Sequence, residues 1–556
     1  VWVSKLKFND STEITFSNND IVVIVGPNNS GKSATLKEIS KLFRQKAEKG
    51  KVLVDIDFDA NGDQDIVEFL DSFSTKTFGG NPEPQYAGFG FSIYGGSVRN
   101  QWQSYKNGLG ALYPIFVSLL NTEERLSAAN PPSTINLISQ AAQHPIHFLQ
   151  KDDNLEKRFS EYFRQAFGKD LVVHRNAGSN VPLYVGKKPI PKKGEDRVST
   201  GYLQELEKLD LLHEQGDGMR SFVGVLLNSF VANNSVILLD EPEAFLHPPQ
   251  ARLLGKMLAK DLPSERQLFL STHSEDFLKG LLDSEIGNLK IIRITRENST
   301  NHVSVLDSSE IKEIWQDSLL RHSNILNGLF HSRVIICESD SDCRFFSAVL
   351  AAVFDNTEAV APDLLFLHCG GKHRIPVVIK ALMKLKVSIR VIADFDILNE
   401  GTPLKEIVNE LNGSWPKIEK KWKLIKSEIE SKRPELLSSE LKKQVDEVFS
   451  SSDDRIFSRE NVRKIEGLLK KSSAWSEAKA VGKPYIPSGN ATAAFDEFQS
   501  FSHKLGLFVL EVGELECFVR SVGNHGPKWV NEVLQRDLKT DPELSVARDF
   551  VKRLIE

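Results

Sequence analysis

IVVIVGPNNSGKS, residues 21–33, decides how the first half of this chain is read. Five consecutive apolar, mostly β-branched residues predict a strand buried on both faces, and the following ATLKEISKLF carries a helical period. Between them lies a glycine-containing loop of the phosphate-cradling type. Gly26 and Gly31 let backbone N–H groups turn onto phosphate oxygens, Lys32 reaches the β/γ-phosphates, and the Ser33 hydroxyl suits a metal ion. Gly26, Asn29, Ser30, Gly31, Lys32 and Ser33 are therefore the candidate nucleotide-binding residues, with ATP as the expected cofactor.

Two further apolar runs belong with this loop. SVILLDEPEAFLHP (235–248) ends in Asp240 and Glu241, an acid suited to hold the metal shell followed by one suited to polarise the attacking water. QLFLSTHS (267–274) is another buried strand, ending in a polar cluster that contains His273. The stretch from 34 to 213 is broken by GGNPEPQ (79–85), ANPPS (129–133) and KKPIPKKG (187–194), so sustained heptads and a long coiled coil are not expected there. Arg125 in SLLNTEERLS is read either as a phosphate or interface residue or as a solvated charge on a helix face.

These strings resemble the ABC-type ATPase heads of the RecF, SMC and OLD (overcoming lysogenization defect) families over roughly the first 320 residues. The resemblance puts His273 in the role of γ-phosphate sensor and makes EQGDGMRSF (214–222), with Gly218, the counterpart of the signature motif. This stretch departs from the usual LSGGQ, with Gln215 or Gly216 where serine is common. It also implies ATP sandwiched between two heads, hence a homodimer or higher homo-oligomer.

The second half repeats an alternating α/β pattern. RVIICESDSDCRFFSAVLAAVF (333–354) reads as strand, acidic turn and helix; LLFLHCGGKHRIPVVIKALMKL (364–385) as strand, Gly-Gly turn and helix; and VSIRVIADFDIL (387–398) as a further strand. Glu338 ends the first strand, Asp342 starts the helix after it, and alternation along the third strand sets Asp394 and Asp396 on one face. In a parallel sheet the carboxyl ends of strands converge on one crevice. Three carboxylates brought together there cost too much unless a hard divalent cation, Mg²⁺ or Mn²⁺, neutralises them. Gly371 and Lys372 fall at the same crevice, where they would approach a phosphate.

ExxxD followed by DxD resembles the TOPRIM domain of topoisomerases, primases and OLD-family nucleases, in which such acids bind catalytic metal; this makes Glu338, Asp342, Asp394 and Asp396 the expected ligands. GLFVLEVGELECFV (506–519), with Glu511, Glu514 and Glu516, resembles the late acidic segment of that family; Glu514 and Glu516 are read either as a second metal site or as a surface turn. Lys528 in HGPKWV is read either as the family's late lysine, acting on the scissile phosphate, or as a solvated side chain. KIEKKWKLIKSEIESKRPELLSSELKK (417–443), in the helix-rich insertion, suits a solvated amphipathic helix or a face for nucleic-acid phosphate.

The expected architecture is α/β: an ABC-type P-loop ATPase head over 1–306, a helical connector over 307–332, a TOPRIM domain over 333–520 with a helical insertion at about 400–500, and a helical tail over 521–556. A chain of 556 residues is too long for one core, and 40% hydrophobic with 26% charged residues is ordinary globular composition. With 70 basic and 75 acidic residues the net charge is −5, so any nucleic-acid surface must be a local patch. The four cysteines form no CxxC pair, no apolar run reaches membrane-span length, and no signal-peptide pattern opens the chain, which begins at Val1. A cytoplasmic protein without a membrane partner is expected.

The domain order matches OLD-family ATP-dependent nucleases, a group that includes anti-phage effectors such as Gabija and retron-associated nucleases. The resemblance implies a metal-dependent DNA endonuclease governed by an ATPase, with a defence-system protein or an RNA/DNA partner. The alternative is a RecF- or SMC-type repair or clamp ATPase whose TOPRIM domain binds without cutting. A topoisomerase reading lacks a tyrosine in a recognisable context, and a transporter motor does not fit the attached second half.

Overall fold

The computed structural model describes residues 1–46, 50–60, 65–80, 82–306, 308–321, 324–355, 360–432, 438–450, 457–470 and 474–556. Asn81 in the GGNPEPQ break and residues 433–437 in the lysine-rich run lie outside the described residues, as do 307 and 322–323 in the expected connector. The chain divides into two compact units, Val1–Asp317 and Ser318–Glu556.

The strands of the first unit are β1 (Trp2–Phe8), β2 (Glu13–Thr15), β3 (Ile21–Val25), β4 (Leu53–Asp59), β5 (Thr75–Thr77), β6 (Gln85–Gly88), β7 (Phe91–Tyr94), β8 (Val117–Leu120), β9 (Asp170–Val173), β10 (Leu183–Gly186), β11 (Asp210–Leu211), β12 (Val236–Asp240), β13 (Gln267–Ser271), β14 (Leu289–Glu297) and β15 (Thr300–Leu306). The central sheet has the order β15-β14-β3-β13-β12-β8 and is parallel except for the β14–β15 hairpin. All five residues of β3 and of β13 are buried, as expected of parallel strands covered on both faces. Because β13 lies between β3 and β12, the phosphate loop, the polar end of β13 and the acidic end of β12 open on one edge of the sheet. Between the phosphate loop and Glu214, the longest described helix is Asp153–Phe167, 15 residues, consistent with the broken pattern in the sequence.

The strands of the second unit are β16 (Arg333–Cys337), β17 (Leu364–His368), β18 (Ser388–Ala393) and β19 (Leu507–Val509). They form one sheet in the order β17-β16-β18-β19 with every pairing parallel. The segment between β18 and β19 is helical, including Gly401–Glu410, Glu419–Ser431, Ala474–Val481 and Asn490–Leu505. Residues 521–556 do not behave as a tail. Trp529, Val530, Val533, Phe550, Val551 and Leu554 are buried in one cluster with Phe345, Phe346 and Val349 of the helix Asp340–Phe354. Burying a tryptophan and this many aliphatic groups contributes well over ~10 kcal/mol of transfer free energy, so the C-terminal helices are core.

Candidate functional site

The phosphate loop runs from Gly26 to the helix Lys32–Arg44. Gly26 sits at φ +147°, and a Cβ there would lie 2.0 Å from the carbonyl oxygen of Ile294, so no larger residue fits. Asn29 and Gly31 also take positive φ, the left-handed backbone that winds the loop tightly into the helix that follows. Lys32 is buried and donates to the carbonyls of Gly26 (2.8 Å) and Pro27 (2.7 Å). The Ser30 hydroxyl is buried without a partner among the described residues, a donor that a phosphate oxygen would satisfy, so this cradle fits a nucleotide.

Opposite the loop, Asp240 Oδ1 accepts the Ser271 hydroxyl at 2.6 Å. Glu241 is held in the left-handed region at φ +49°, with its N–H donated to Ser271 O at 3.1 Å. Such strain persists where surrounding contacts over-determine it. Its Oε1 lies 3.3 Å from His273 Nε2. Burial, assisted by Lys32, lowers the His273 pKa and so favours the neutral ring beside this carboxylate. Glu243, which sequence reasoning passed over, holds this corner: its Oε1 accepts Thr272 Oγ1 (2.6 Å) and the His273 N–H (3.0 Å).

Gly216 caps the helix Asp217–Phe230, which sets Gly218 in its first turn. Arg125 is neither a solvated charge nor free to meet a phosphate. Fully buried, it donates to Ser221 Oγ of that helix (3.2 Å), to Thr122 Oγ1 (3.3 Å) and to the carbonyl of Asp240. It thereby ties the signature-like helix to the acidic strand end.

In the second unit the acids meet in a way that strand alternation did not foresee. β18 stops at Ala393; Asp394 caps a 3-10 turn over Phe395–Asn399, and Asp396 lies inside that turn. The turn, rather than a shared strand face, brings Asp394 and Asp396 together with Glu338, one ligand atom from each lying within 4.8 Å of the others. The Asp394 N–H donates to Glu338 Oε1 at 3.2 Å. Burial, then the neighbouring Asp396, pushes the Glu338 carboxyl up to about 7, and burial, then Glu338, raises the Asp394 carboxyl well above its ordinary value. Asp396 Oδ1 is buried with no hydrogen-bond partner among the described residues. An orphaned carboxylate oxygen among three crowded acids is a donor set of the kind a hard divalent cation takes, so the residues fit a metal.

Asp342 is outside this group. Its Oδ2 accepts the Ser339 N–H at 2.8 Å, closing a capping box at the start of the helix Asp340–Phe354. Glu514 and Glu516 form a second group with His525, again with ligand atoms within 4.8 Å. His525 stands three residues before Lys528 in HGPKWV, and Lys528 is exposed on the helix Pro527–Val533. Glu511 turns instead to Lys483 and Arg553.

Two lysines do face the acids. Lys372 reaches Asp396 Oδ2 (3.1 Å) and Glu400 Oε1 (2.8 Å). Lys479, from the insertion and unremarked in the sequence, lies 2.9 Å from Asp394, 3.8 Å from Asp396 and 3.7 Å from Glu514. Burial works against its charge, but Asp394 and Asp396 together raise its pKa. The lysines of the helix Glu419–Ser431 are mostly spent internally, Lys421 on Glu497, Lys423 on Glu419 and Lys426 on the Asn399 carbonyl, while Ile425 and Ile429 are buried. That pattern is the amphipathic helix rather than the phosphate-binding face.

Two family models match. One, described as "AAA domain, putative AbiEii toxin, Type IV TA system", covers residues 21–278; the other, "Overcoming lysogenization defect protein-like, TOPRIM domain", covers 329–396. A relative among curated proteins is the uncharacterized protein MJECL11 of Methanocaldococcus jannaschii, 31% identical over 98 residues, covering 17% of this chain and 86% of that protein. Similar solved structures include an SMC head bound to the C-winged helix domain of ScpA (13% identity, TM-score 0.36, 56% of this chain and 100% of that one) and the SMC head domain of Thermotoga maritima (14%, TM-score 0.29, 55% and 100%). Among the described residues no helix is long and apolar enough to cross a membrane. The two matched models show an AAA-type ATPase domain followed on one chain by an OLD-like TOPRIM domain, an arrangement that matches the ATPase–TOPRIM fusions of the overcoming lysogenization defect (OLD) family.

Proposed function

We propose that this protein is a Mg²⁺-dependent DNA endonuclease whose cutting is gated by ATP bound to its first unit, acting as an effector of anti-phage defence in the cytoplasm. The observation that carries the nuclease reading is the group Glu338, Asp394 and Asp396 with its orphaned Asp396 oxygen. A divalent cation, Mg²⁺ or Mn²⁺, would be held by these three acids, and a second by Glu514 and Glu516 with His525. Bound there, it would polarise the phosphodiester and acidify the attacking water. Glu338, a member of this group, would also relay a proton from that water, and Lys372 and Lys479 offer positive charge to the phosphate. In the first unit, Lys32 and the loop N–H groups would bind the triphosphate, Ser33 and Asp240 would hold its metal, and Glu241, 3.3 Å from His273, would position water. Two heads sharing ATP through Gly218 and its neighbours would make the active species a dimer.

Cleavage itself needs no energy from ATP, so nucleotide acts by shifting populations of head arrangements. The experiment measures cleavage of several DNA forms at fixed Mg²⁺ with no nucleotide, ATP or ADP, using wild type and Asp394→Asn with Asp396→Asn. The double variant is expected to lose at least a hundredfold in rate and to keep nucleotide binding. Full cleavage by it would refute the metal assignment and leave the clamp ATPase as the reading to pursue. Identical wild-type rates in all three nucleotide states would remove the gating.

A further inference from the structure

The helix Ala474–Val481 enters the acidic crevice from the insertion, and its end is fixed by hydrogen bonds that involve both main chain and side chains of the segment after β19. The Lys483 N–H donates to Glu511 O at 2.8 Å, and Cys517 Sγ donates to Ala480 O at 3.2 Å. Gly482 and Gly513 take φ of +76° and +116°, and the chains approach so closely that a Cβ on Gly513 would lie 2.1 Å from Lys479 O, and one on Gly482 2.1 Å from Glu511 O. Lys479 is thus anchored directly against the turn that leads into Glu514. A lysine on a free surface helix would spread over many rotamers; this one is delivered between the acids. Among the described residues it pairs with members of both acidic groups, Asp394 and Asp396 in one and Glu514 in the other.

We propose that Lys479 is an internal cation that joins the two carboxylate groups and competes with divalent metal for Asp394 and Glu514, so that the helical insertion sets how tightly the site loads metal. The proposal rests on the metal-site reading above. A carboxylate oxygen shared with an ammonium group donates less to a metal, and two positive charges a few ångströms apart repel. Linkage is reciprocal: whatever holds the helix Ala474–Val481 in place weakens metal binding, and metal binding loosens the hold of the acids on Lys479.

The test is Mn²⁺ binding to the full chain without DNA or nucleotide, followed by the loss of the free-Mn²⁺ electron paramagnetic resonance signal and by calorimetry. Lys479→Met should bind Mn²⁺ about tenfold more tightly than wild type, while Lys479→Arg, which keeps the charge, should match wild type. In EDTA the Met variant should melt below wild type, its acids having lost their counter-charge, and Mn²⁺ should raise its melting temperature by more. Lys479→Gln removes the charge with a polar side chain and gives the same tightening if the Met variant does not fold. Equal affinity in wild type and the uncharged variants, with binding abolished by Glu338→Gln and Asp394→Asn, would overturn the role of Lys479 and leave the metal site standing. Mn²⁺ binding absent from all proteins, or indifferent to the acid variants, would overturn the metal site and this proposal with it.

Discussion

Replacing Glu243 with glutamine should make the first unit more stable, and more so as pH rises. Glu243 Oε1 accepts Thr272 Oγ1 and the His273 N–H, while Oε2 is buried without a partner among the described residues. Burial pushes the carboxyl from its ordinary 4.5 up to about 7. The folded state therefore favours the protonated acid. The stabilisation this confers is fully present below pH 4.5, the unfolded value, and is lost as pH climbs through about 7. At about 1.4 kcal/mol per pH unit across that gap, ionisation costs the fold about 3 kcal/mol at pH 8. Because part of the residue reaches solvent, that figure is an upper bound. Glutamine keeps the Oε1 acceptor for Thr272 and His273 and carries no charge. The assay is the melting temperature of the first unit in wild type and Glu243→Gln from pH 5 to pH 8 at constant ionic strength. The two proteins should nearly coincide at pH 5 and separate by about 5 °C at pH 8, glutamine being higher. A separation that stays the same at every pH would refute the argument, because only ionisation of Glu243 makes the difference grow.

Arg125→Ala should destabilise the first unit by about 3 kcal/mol, since it strips buried partners from the Asp240 carbonyl and Ser221, and a lowered melting temperature with slowed ATP hydrolysis would show it. Lys32→Ala should weaken ATP binding at least tenfold, whereas Glu241→Gln should bind ATP like wild type and lose hydrolysis by about a hundredfold or more. Equilibrium binding and phosphate release separate the two, and wild-type turnover by Glu241→Gln would contradict the assignment of its water-positioning role.

Much of the ATPase half was legible because its chemistry is local. An apolar strand, a glycine loop and a helix are consecutive in IVVIVGPNNSGKSATLKEISKLF, and buried runs ending in DE and STHS announce their own strand ends. The acids of the second half were legible for the same reason: parallel strands inserted between helices put their carboxyl ends on one side, whatever the detailed geometry. What the local pattern missed was how those ends are shaped. Alternation along a strand predicted Asp394 and Asp396 on one face, but hydrogen bonding to the turn after β19, where the Phe395 N–H donates to Gly513 O, ends the strand at Ala393 and curls the next residues into a 3-10 turn. In the sequence Arg125 reads either as a phosphate or interface residue or as a solvated charge, because nothing nearby marks Ser221 or Asp240 as its partners.

By itself, then, the sequence determined the two-part order of the chain and the strand–loop–helix pattern at residues 21–44, which follow from residues consecutive along the chain, and the convergence of Glu338, Asp394 and Asp396, which follows from their places at the ends of parallel strands. Tertiary structure alone decided that Lys479 rather than Lys528 faces those acids, that His525 joins Glu514 and Glu516, and that residues 521–556 complete a core. The reason is physical. Lys479 stands 85 residues beyond Asp394, and its place depends on two main-chain approaches that only glycine permits and on the pairing of β18 with β19, none of which leaves a periodic signature along the chain.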